Sequence, residues 1–212
     1  MKTLIFTLFL ISNTHAQTIG KVLFSKGDVF LKKSKDSKAV PAKKGSTFSD
    51  KSIFKTGKGS LAVLSLNSGS KIKVNQNSQI IVSKEAAGLT KGSSFFEILK
   101  SKVRKNKKIK YRVKTKHASM GVRGTQFFVS LGNKNDSWMC VNEGLVEVKS
   151  KDNRTVLVKE GEGVKVSKSV SDPKPLPWTK RLNWEMEGNL KEIENKVNIE
   201  DAYQDLLDQD YD

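Results

Sequence analysis

The feature that most restricts the fold is a series of short runs, from Thr18 to Ser169, in which apolar and polar residues alternate. Val, Ile, Phe and Thr dominate the runs, and turns rich in Gly, Asn, Asp and Lys separate them. Because successive side chains of a strand point to opposite faces, each run predicts a short strand. The predicted strands include Lys21–Phe24, Asp28–Lys32, Leu61–Leu66, Lys71–Val74, Gln79–Val82, Ser94–Leu99, Ile109–Thr115, Gln126–Leu131, Ser137–Val141, Leu145–Val148, Thr155–Val158 and Val164–Val166.

These runs predict an all-β fold, either a sandwich or a solenoid-like β-roll of about ten or more short strands. An alternating α/β fold is excluded because no helical pattern separates the runs. The runs have no strict repeat length, so a regular β-helix is not required. We expect this domain to occupy residues 17–171 of the 212-residue chain.

The first sixteen residues predict a secretory signal peptide, residues 1–16. Met1-Lys2 precedes an apolar stretch from Leu4 to Ile11, which is too short to cross a bilayer as a stable helix. The small residue Ala16 places cleavage before Gln17. A retained N-terminal anchor is the alternative, which the short run disfavours. We therefore expect an exported protein that is not an integral membrane protein.

A second informative stretch, Thr115–Ser130, contains two glycines around one arginine. Gly121 and Gly124 predict a backbone bend that residues without a Cβ make easily, and Arg123 has a rigid fork of donors suited to the carbonyls of a corner. We interpret Gly121, Arg123, Gly124 and Thr125 as a structural corner. An exposed anion clamp is the alternative, which the apolar residues that follow disfavour.

The segment Gly121–Phe127 resembles the signature of the FecR domain, an all-β module of bacterial cell envelopes. Three further segments resemble the same family in the same order: Gly45–Gly57, Asn67–Ser70 and Glu143–Val148. The resemblance extends from about Gly20 to Val166. It implies an all-β fold, a periplasmic or secreted location, and a non-enzymatic role in binding or scaffolding an envelope protein. Complete FecR-type regulators also have a sigma-factor-binding segment and a transmembrane helix; neither is recognised in this sequence, so direct sigma-factor control is not expected.

A densely basic segment, residues 100–116, contains ten Lys and Arg residues and no acidic residue. Within it Ile109, Tyr111, Val113 and Thr115 alternate with cations, so a strand would place one row of cations on a single face. The predicted row, a candidate site for an anion or a partner, is Lys108, Lys110, Arg112 and Lys114.

Two kinds of polyanion suit such a row: a nucleic acid, and an anionic glycan or lipid of the envelope. Nucleic acid is disfavoured because an exported chain rarely meets it and because no aromatic stacking surface accompanies the cations. A solvated basic face without a ligand is the simplest alternative. The chain carries a net charge of +17, which leaves all the polyanion interpretations open.

The C-terminal region predicts a connector followed by a helix. Three prolines predict an extended connector over residues 172–178, and an acidic amphipathic tail follows over residues 179–212. Apolar residues recur there at helical spacing, and Thr179 suits the helix start. The predicted docking helix for a protein partner uses Leu182, Met186, Leu190, Ile193 and Val197. Packing of the same stripe on the chain's own sheet is the alternative.

Catalytic and metal sites find little support in the sequence. Signal cleavage would leave His117 as the only histidine, the acidic residues are scattered at turns, and phosphate-loop patterns are absent. We therefore expect no enzyme activity and no cofactor, with an uncharacterised hydrolase as the least favoured alternative. We expect the single cysteine, Cys140, to be buried and to pack as a small apolar side chain. A disulfide-linked dimer is the minor alternative.

Overall fold

The computed structural model describes residues 17–100, 111–132 and 136–186. In these ranges the chain forms two nine-stranded sheets. Sheet A contains, in spatial order, β18 (Lys174–Pro175), β17 (Glu162–Val166), β14 (Ser137–Glu143), β13 (Thr125–Leu131), β10 (Ser93–Ile98), β7 (Lys71–Val74), β6 (Leu61–Leu66), β1 (Thr18–Lys26) and β4 (Thr47–Ser49). Sheet B contains β16 (Thr155–Lys159), β15 (Leu145–Ser150), β12 (Ala118–Val122), β11 (Tyr111–Lys114), β9 (Ala86–Lys91), β8 (Gln79–Val82), β5 (Ser52–Thr56), β2 (Val29–Lys32) and β3 (Val40–Pro41).

The chain builds both sheets at the same time by crossing repeatedly from one to the other. Strands β6 and β7 pair in sheet A, β8 and β9 in sheet B, β13 and β14 in sheet A, and β15 and β16 in sheet B. Adjacent strands in the two sheets pair in the antiparallel direction, except β9 and β11, which pair in the parallel direction. The all-β prediction is therefore confirmed, and the architecture combines the two predicted forms: a sandwich wound as a roll.

The main core fills the space between the two sheets. Inward side chains alternate with outward ones on nearly every strand, as in β11, where Tyr111 and Val113 are buried and Arg112 and Lys114 are exposed. Aromatic rings pack within this core. The rings of Phe96 and Phe127, for example, stack with their centroids 4.9 Å apart. On the strands of sheet B the alternation in the sequence thus translates into one buried face per strand.

A second apolar layer lies on the outer face of sheet A. The strand register places Val63, Lys73, Phe95, Phe128 and Cys140 side by side across five neighbouring strands. The C-terminal segment, residues 174–186, covers this row with its own apolar side chains, which are Leu176, Leu182, Trp184 and Met186. We call this surface the covered face.

The C-terminal segment differs from the predicted connector and helix. Lys174–Pro175 pairs with β17 as an edge strand, and a 3-10 helix follows at Pro177–Arg181. The predicted α-helix is not present over residues 179–186, because Leu182 is already extended and residues 183–186 have no regular structure. Contacts with the covered face replace helical hydrogen bonds there. The remainder of the predicted helix lies outside the described residues.

The predicted signal peptide, residues 1–16, also lies outside the described residues. In the described ranges no helix is long and apolar enough to span a bilayer.

Candidate functional site

The predicted corner motif connects the two sheets. Strand β12 ends in sheet B at Val122, and β13 begins in sheet A at Thr125, so Arg123 and Gly124 form the crossing. Gly124 has a φ of +63°, a left-handed conformation that favours glycine. Gly121 instead lies inside β12, paired with Arg112 and Glu147. The bend therefore depends on one glycine rather than on two.

The side chain of Arg123 does not have the predicted position in the corner. Val122 points into the core, so the alternation turns Arg123 outward, where it is exposed. Within the described part of the chain its guanidinium makes no hydrogen bond or ion pair. The carbonyl-capping role predicted for this arginine is thus not seen, and the residue adds an exposed positive charge beside sheet B.

A second crossing lies directly against this corner. Gly144 connects β14 in sheet A to β15 in sheet B with a φ of +90°. A Cβ on Gly144 would lie 2.7 Å from the carbonyl oxygen of Gly124, which is too close for any side chain. Two of the segments that resemble the FecR family are therefore adjacent crossings that contact each other through backbone atoms.

Lys73 is a buried lysine at the centre of the covered face, and no local feature of the sequence predicts its burial. Its Nζ donates to the main-chain oxygens of Asn183 at 2.5 Å and Glu185 at 3.0 Å, and lies 4.5 Å from the centre of the Phe95 ring. Trp184 packs edge-on against the same ring at 5.0 Å. Lys73 therefore fastens the C-terminal segment to sheet A through charge-assisted hydrogen bonds.

Burial also changes the ionisation of this layer. Removal from water lowers the pKa of Lys73 from its ordinary value of 10.5 to about 8, and the nearby charge of Glu185 opposes the shift. Burial likewise raises the pKa of the Cys140 thiol to about 12. Cys140 is fully buried as predicted, and its thiol is neutral near pH 7.

The outer face of sheet B is basic and open to solvent. Arg112 and Lys114 point outward from β11 as predicted, while Lys108 and Lys110 lie outside the described residues. Cations also occupy outward positions on β2, β5, β15 and β16 of the same sheet, and the only acidic residue at an outward position of these four strands is Glu147. We call the surface formed by the following residues the cationic face: Lys32, Lys55, Arg112, Lys114, Lys149 and Lys159.

Small residues flank the cations of β11 on both sides. The register places Arg112 between Ala86 and Gly121, and Lys114 between Gly88 and Ser119. A Cβ on Gly88 would meet only Ile81, at 3.9 Å, so its outward side is open. The two cations therefore stand in a shallow trough, about 7 Å apart along the strand and with free space beside them.

Ion pairing distinguishes this face from the rest of the molecule. Among the described residues, Lys71 pairs with Glu97 and Lys180 with Glu160 at sheet A, and Arg154 in the β15–β16 turn pairs with Asp172. In contrast, the side chains of several cations on the cationic face make no hydrogen bond or ion pair with any described residue: Lys55, Arg112, Lys114, Lys149 and Lys159. Their positive charge is available to an external anion.

The predicted docking helix is only partly described. Leu182 and Met186 are buried against the covered face, where they are 4% and 2% exposed, so these two side chains already contact the chain's own sheet. Leu190, Ile193 and Val197 lie outside the described residues. Of the two uses considered for this stripe, packing on the chain's own sheet therefore accounts for its first two members.

The polar side chains that could serve metal binding or catalysis are dispersed over the described residues. Over the described ranges, no group of three or more His, Cys, Asp or Glu side chains is placed to hold a metal ion. His117 follows β11, and its backbone N–H donates to Thr115 Oγ1 at 3.2 Å. Burial, together with the charge of Asp50, raises the pKa of Tyr111, whose hydroxyl donates to the Ser83 carbonyl at 3.3 Å.

Comparison with known proteins finds one family match over part of the chain. Residues 52–147 match the FecR protein family, which confirms the resemblance seen in the sequence over this range. The match runs from β5 into β15 and includes both crossings together with Arg112 and Lys114. No curated protein matches the chain.

Two crystal structures of a "putative anti-sigma factor" from Parabacteroides distasonis ATCC 8503 are similar in fold. The first is 17% identical and has a TM-score of 0.49, and the alignment covers 58% of this chain and 59% of that chain. The second has the same identity and coverage, with a TM-score of 0.48. The chain thus matches less than two thirds of that protein, and the similarity is too distant to carry a functional argument.

Proposed function

We propose that this chain, whose residues 52–147 match the FecR protein family, is an exported, non-enzymatic binding module that holds a protein partner of the bacterial cell envelope on its cationic face. A FecR domain is a regulatory or binding module, and the proposal adds the surface and the location. The observation that carries it is the group of exposed, unpaired cations around Arg112 and Lys114. Unpaired like charges about 7 Å apart repel each other by about 0.6 kcal/mol in water, and an acidic partner would relieve this repulsion.

A protein surface suits the trough for a second reason. The small residues beside Arg112 and Lys114 let a partner's backbone approach closely, and the half-buried Ile81 offers apolar contact next to Gly88. Protein interfaces combine such apolar contacts with charges that set orientation and association rate. The cationic face supplies both within one sheet.

The C-terminal region contributes differently from the sequence-based hypothesis. Leu182 and Met186 are committed to the covered face, so they are not part of the proposed partner surface. Leu190, Ile193 and Val197 retain the helical spacing of a docking segment and remain candidates for a second contact with a partner.

Export is the part of the proposal that rests on the N-terminal sequence. If residues 1–16 are a signal peptide, the protein recovered from the periplasm or medium of the native bacterium begins at Gln17. N-terminal sequencing of the full-length product tests this directly. A product that begins at Met1 and remains in the cytoplasm would contradict export.

Partner capture tests the binding surface. The full chain, immobilised and exposed to a detergent extract of the native envelope, is expected to retain a protein that the double variant Arg112→Glu, Lys114→Glu loses. The matched control is Lys43→Glu, Lys44→Glu, which makes the same change in net charge at an exposed turn far from β11. Equal capture by all three forms would show that the cationic face is not the contact.

An anionic glycan or lipid of the envelope is the second candidate ligand, favoured by the same unpaired charges. Clustered cations attract anionic membranes and polymers by about 1 kcal/mol per residue near the surface. Digestion of the extract with protease separates the candidates. Material whose capture survives protease but still requires Arg112 and Lys114 would identify the glycan or lipid instead of a protein.

A further inference from the structure

We propose that the acidic end of this chain, residues 187–212, binds the cationic face in cis and competes there with the envelope partner. The inference rests on the proposed function, because it assigns a regulator to the same surface. The proposed occupant of the cationic face is the chain's own acidic end. A second copy of the chain and an external polyanion are the other occupants that the test must separate.

Charge complementarity is the first argument. Residues 187–212 contain nine Asp and Glu residues and two Lys residues. The cationic face presents exposed cations around Arg112, Lys114 and Lys149 with one neighbouring carboxylate, Glu147. Opposite net charges on two parts of one chain attract each other over about the Debye length, near 10 Å at 0.1 M salt.

Second, the outer face of sheet A is already covered by the chain itself. Residues 174–186 occupy the covered face, where Leu176 lies against Gly163 and Lys73 holds the main chain at Asn183 and Glu185. Lys180 near this face is paired with Glu160. Of the two large surfaces, the cationic face is therefore the one that offers unpaired positive charge.

Chain length is the third argument. The described chain stops at Met186 on the covered face, and 26 residues follow. These can span up to about 90 Å when extended, since each residue contributes at most about 3.5 Å. The route over the strand ends is about 30 Å, from half of a roughly 20 Å strand on each face and a sheet spacing of about 10 Å. The acidic end can therefore reach Arg112 and Lys114.

Tethering makes even a weak contact effective. A tether of this length keeps the acidic end at an effective concentration in the millimolar range near the cationic face. Contacts too weak to hold a separate peptide at micromolar concentration are then sufficient in cis. An acidic partner must displace the tail, so its apparent affinity falls while the tail is bound and rises when the tail's charge is removed.

A spin label on the full-length chain tests the contact. Asp210→Cys introduces one accessible thiol for a nitroxide, whereas Cys140 is buried and does not compete for the reagent. At low salt the label is expected to broaden the amide signals of β11, β12 and β15, and about 0.5 M NaCl is expected to remove the broadening. Lys43→Glu, Lys44→Glu retains the effect, and Arg112→Glu, Lys114→Glu loses it.

Each alternative gives a distinct result. Broadening that appears only when labelled chain is mixed with unlabelled, isotope-enriched chain indicates a second copy and overturns the proposal. An absence of broadening at low salt also overturns it. If broadening is absent while envelope capture still requires Arg112 and Lys114, the cis contact fails and the proposed function stands; if broadening is present while capture is indifferent to these residues, the proposed function fails alone.

Discussion

The outer faces of the two sheets arise from the same strand alternation and have opposite fates. On sheet A the outward row contains Phe95, Phe128 and Cys140, and residues 174–186 cover it. On sheet B the outward positions of β11 and its neighbours hold cations and small residues, and they remain exposed. One face serves the stability of the domain, and the other is available for contact.

The difference shows that the strands alone do not decide which surface is buried. Lys73 and Lys114 occupy equivalent outward positions on central strands of their sheets, yet Lys73 is fully buried and Lys114 is exposed. The segment that follows β17 makes the difference, because it brings Trp184 and two main-chain oxygens onto Lys73. Four experiments compare the faces, from the largest expected effect to the smallest.

Removing an aromatic ring from the covered face should lower stability much more than removing a side chain from the outer face of sheet B. The Phe95 ring is fully buried between the rings of Phe128 and Trp184, whose centroids lie 4.5 Å and 5.0 Å from its own. Phe95→Ala is expected to lower the free energy of unfolding by about 3–5 kcal/mol, whereas Ile81→Ala on the outer face of sheet B should lower it by about 1 kcal/mol. Urea denaturation measures both, and equal losses would contradict the distinction.

Adding a methyl group to a glycine should give the next largest contrast. In Gly163→Ala the new Cβ would collide with Leu176 and lie 2.7 Å from the Met139 carbonyl oxygen, so the C-terminal segment must shift. We expect a loss of about 2–3 kcal/mol. Gly88→Ala is the matched control, since its Cβ meets Ile81 at an ordinary 3.9 Å and unfolding should change by less than about 0.5 kcal/mol. Similar thermal stability of the two variants would contradict the close contact at Gly163.

Lys73 should give the covered face a characteristic pH dependence. Its pKa in the folded protein is about 8 against an ordinary 10.5, so between these values the unfolded chain binds more protons and stability rises with pH. Relative to Lys73→Met, which cannot titrate, the wild-type protein is expected to gain about 2 kcal/mol from pH 8 to pH 10. A constant difference between the two proteins across this range would show that the ammonium is not desolvated.

Neutralising the cationic face should have the smallest effect on stability. Arg112→Ala, Lys114→Ala removes two exposed side chains without described partners, so the free energy of unfolding is expected to change by less than about 0.5 kcal/mol. Thermal melts at low and high salt measure the change. A loss above about 2 kcal/mol would mean that these cations hold the domain together rather than serve a contact.

The fold and half of the site follow from local sequence signals. The period-two pattern predicts the strands, and the alternation in β11 correctly predicts that Arg112 and Lys114 lie on one outer face. These signals are local, because a strand's two faces are set by the chain geometry of neighbouring residues.

The remainder depends on contacts between distant parts of the chain. Lys73 appears in the sequence as an ordinary exposed strand lysine, and its partners Asn183 and Glu185 are more than one hundred residues away. The helical spacing of Leu182 and Met186 predicts an α-helix, but contacts with the apolar face of sheet A accompany an extended Leu182 instead. Tertiary contacts override the local preference in both cases.

Lysine acylation read by mass spectrometry tests the asymmetry of the two faces most directly. In the native full-length chain at about 0.5 M NaCl, where charge contacts are screened, Lys114 and Lys149 are expected to react like exposed lysines. Lys73 is expected to react at least about 100-fold more slowly, even though its lowered pKa would make it the more reactive amine if it were exposed. Acylation of Lys73 as fast as Lys114, or protection of Lys114 and Lys149 at that salt concentration, would contradict a molecule with one covered face and one open face.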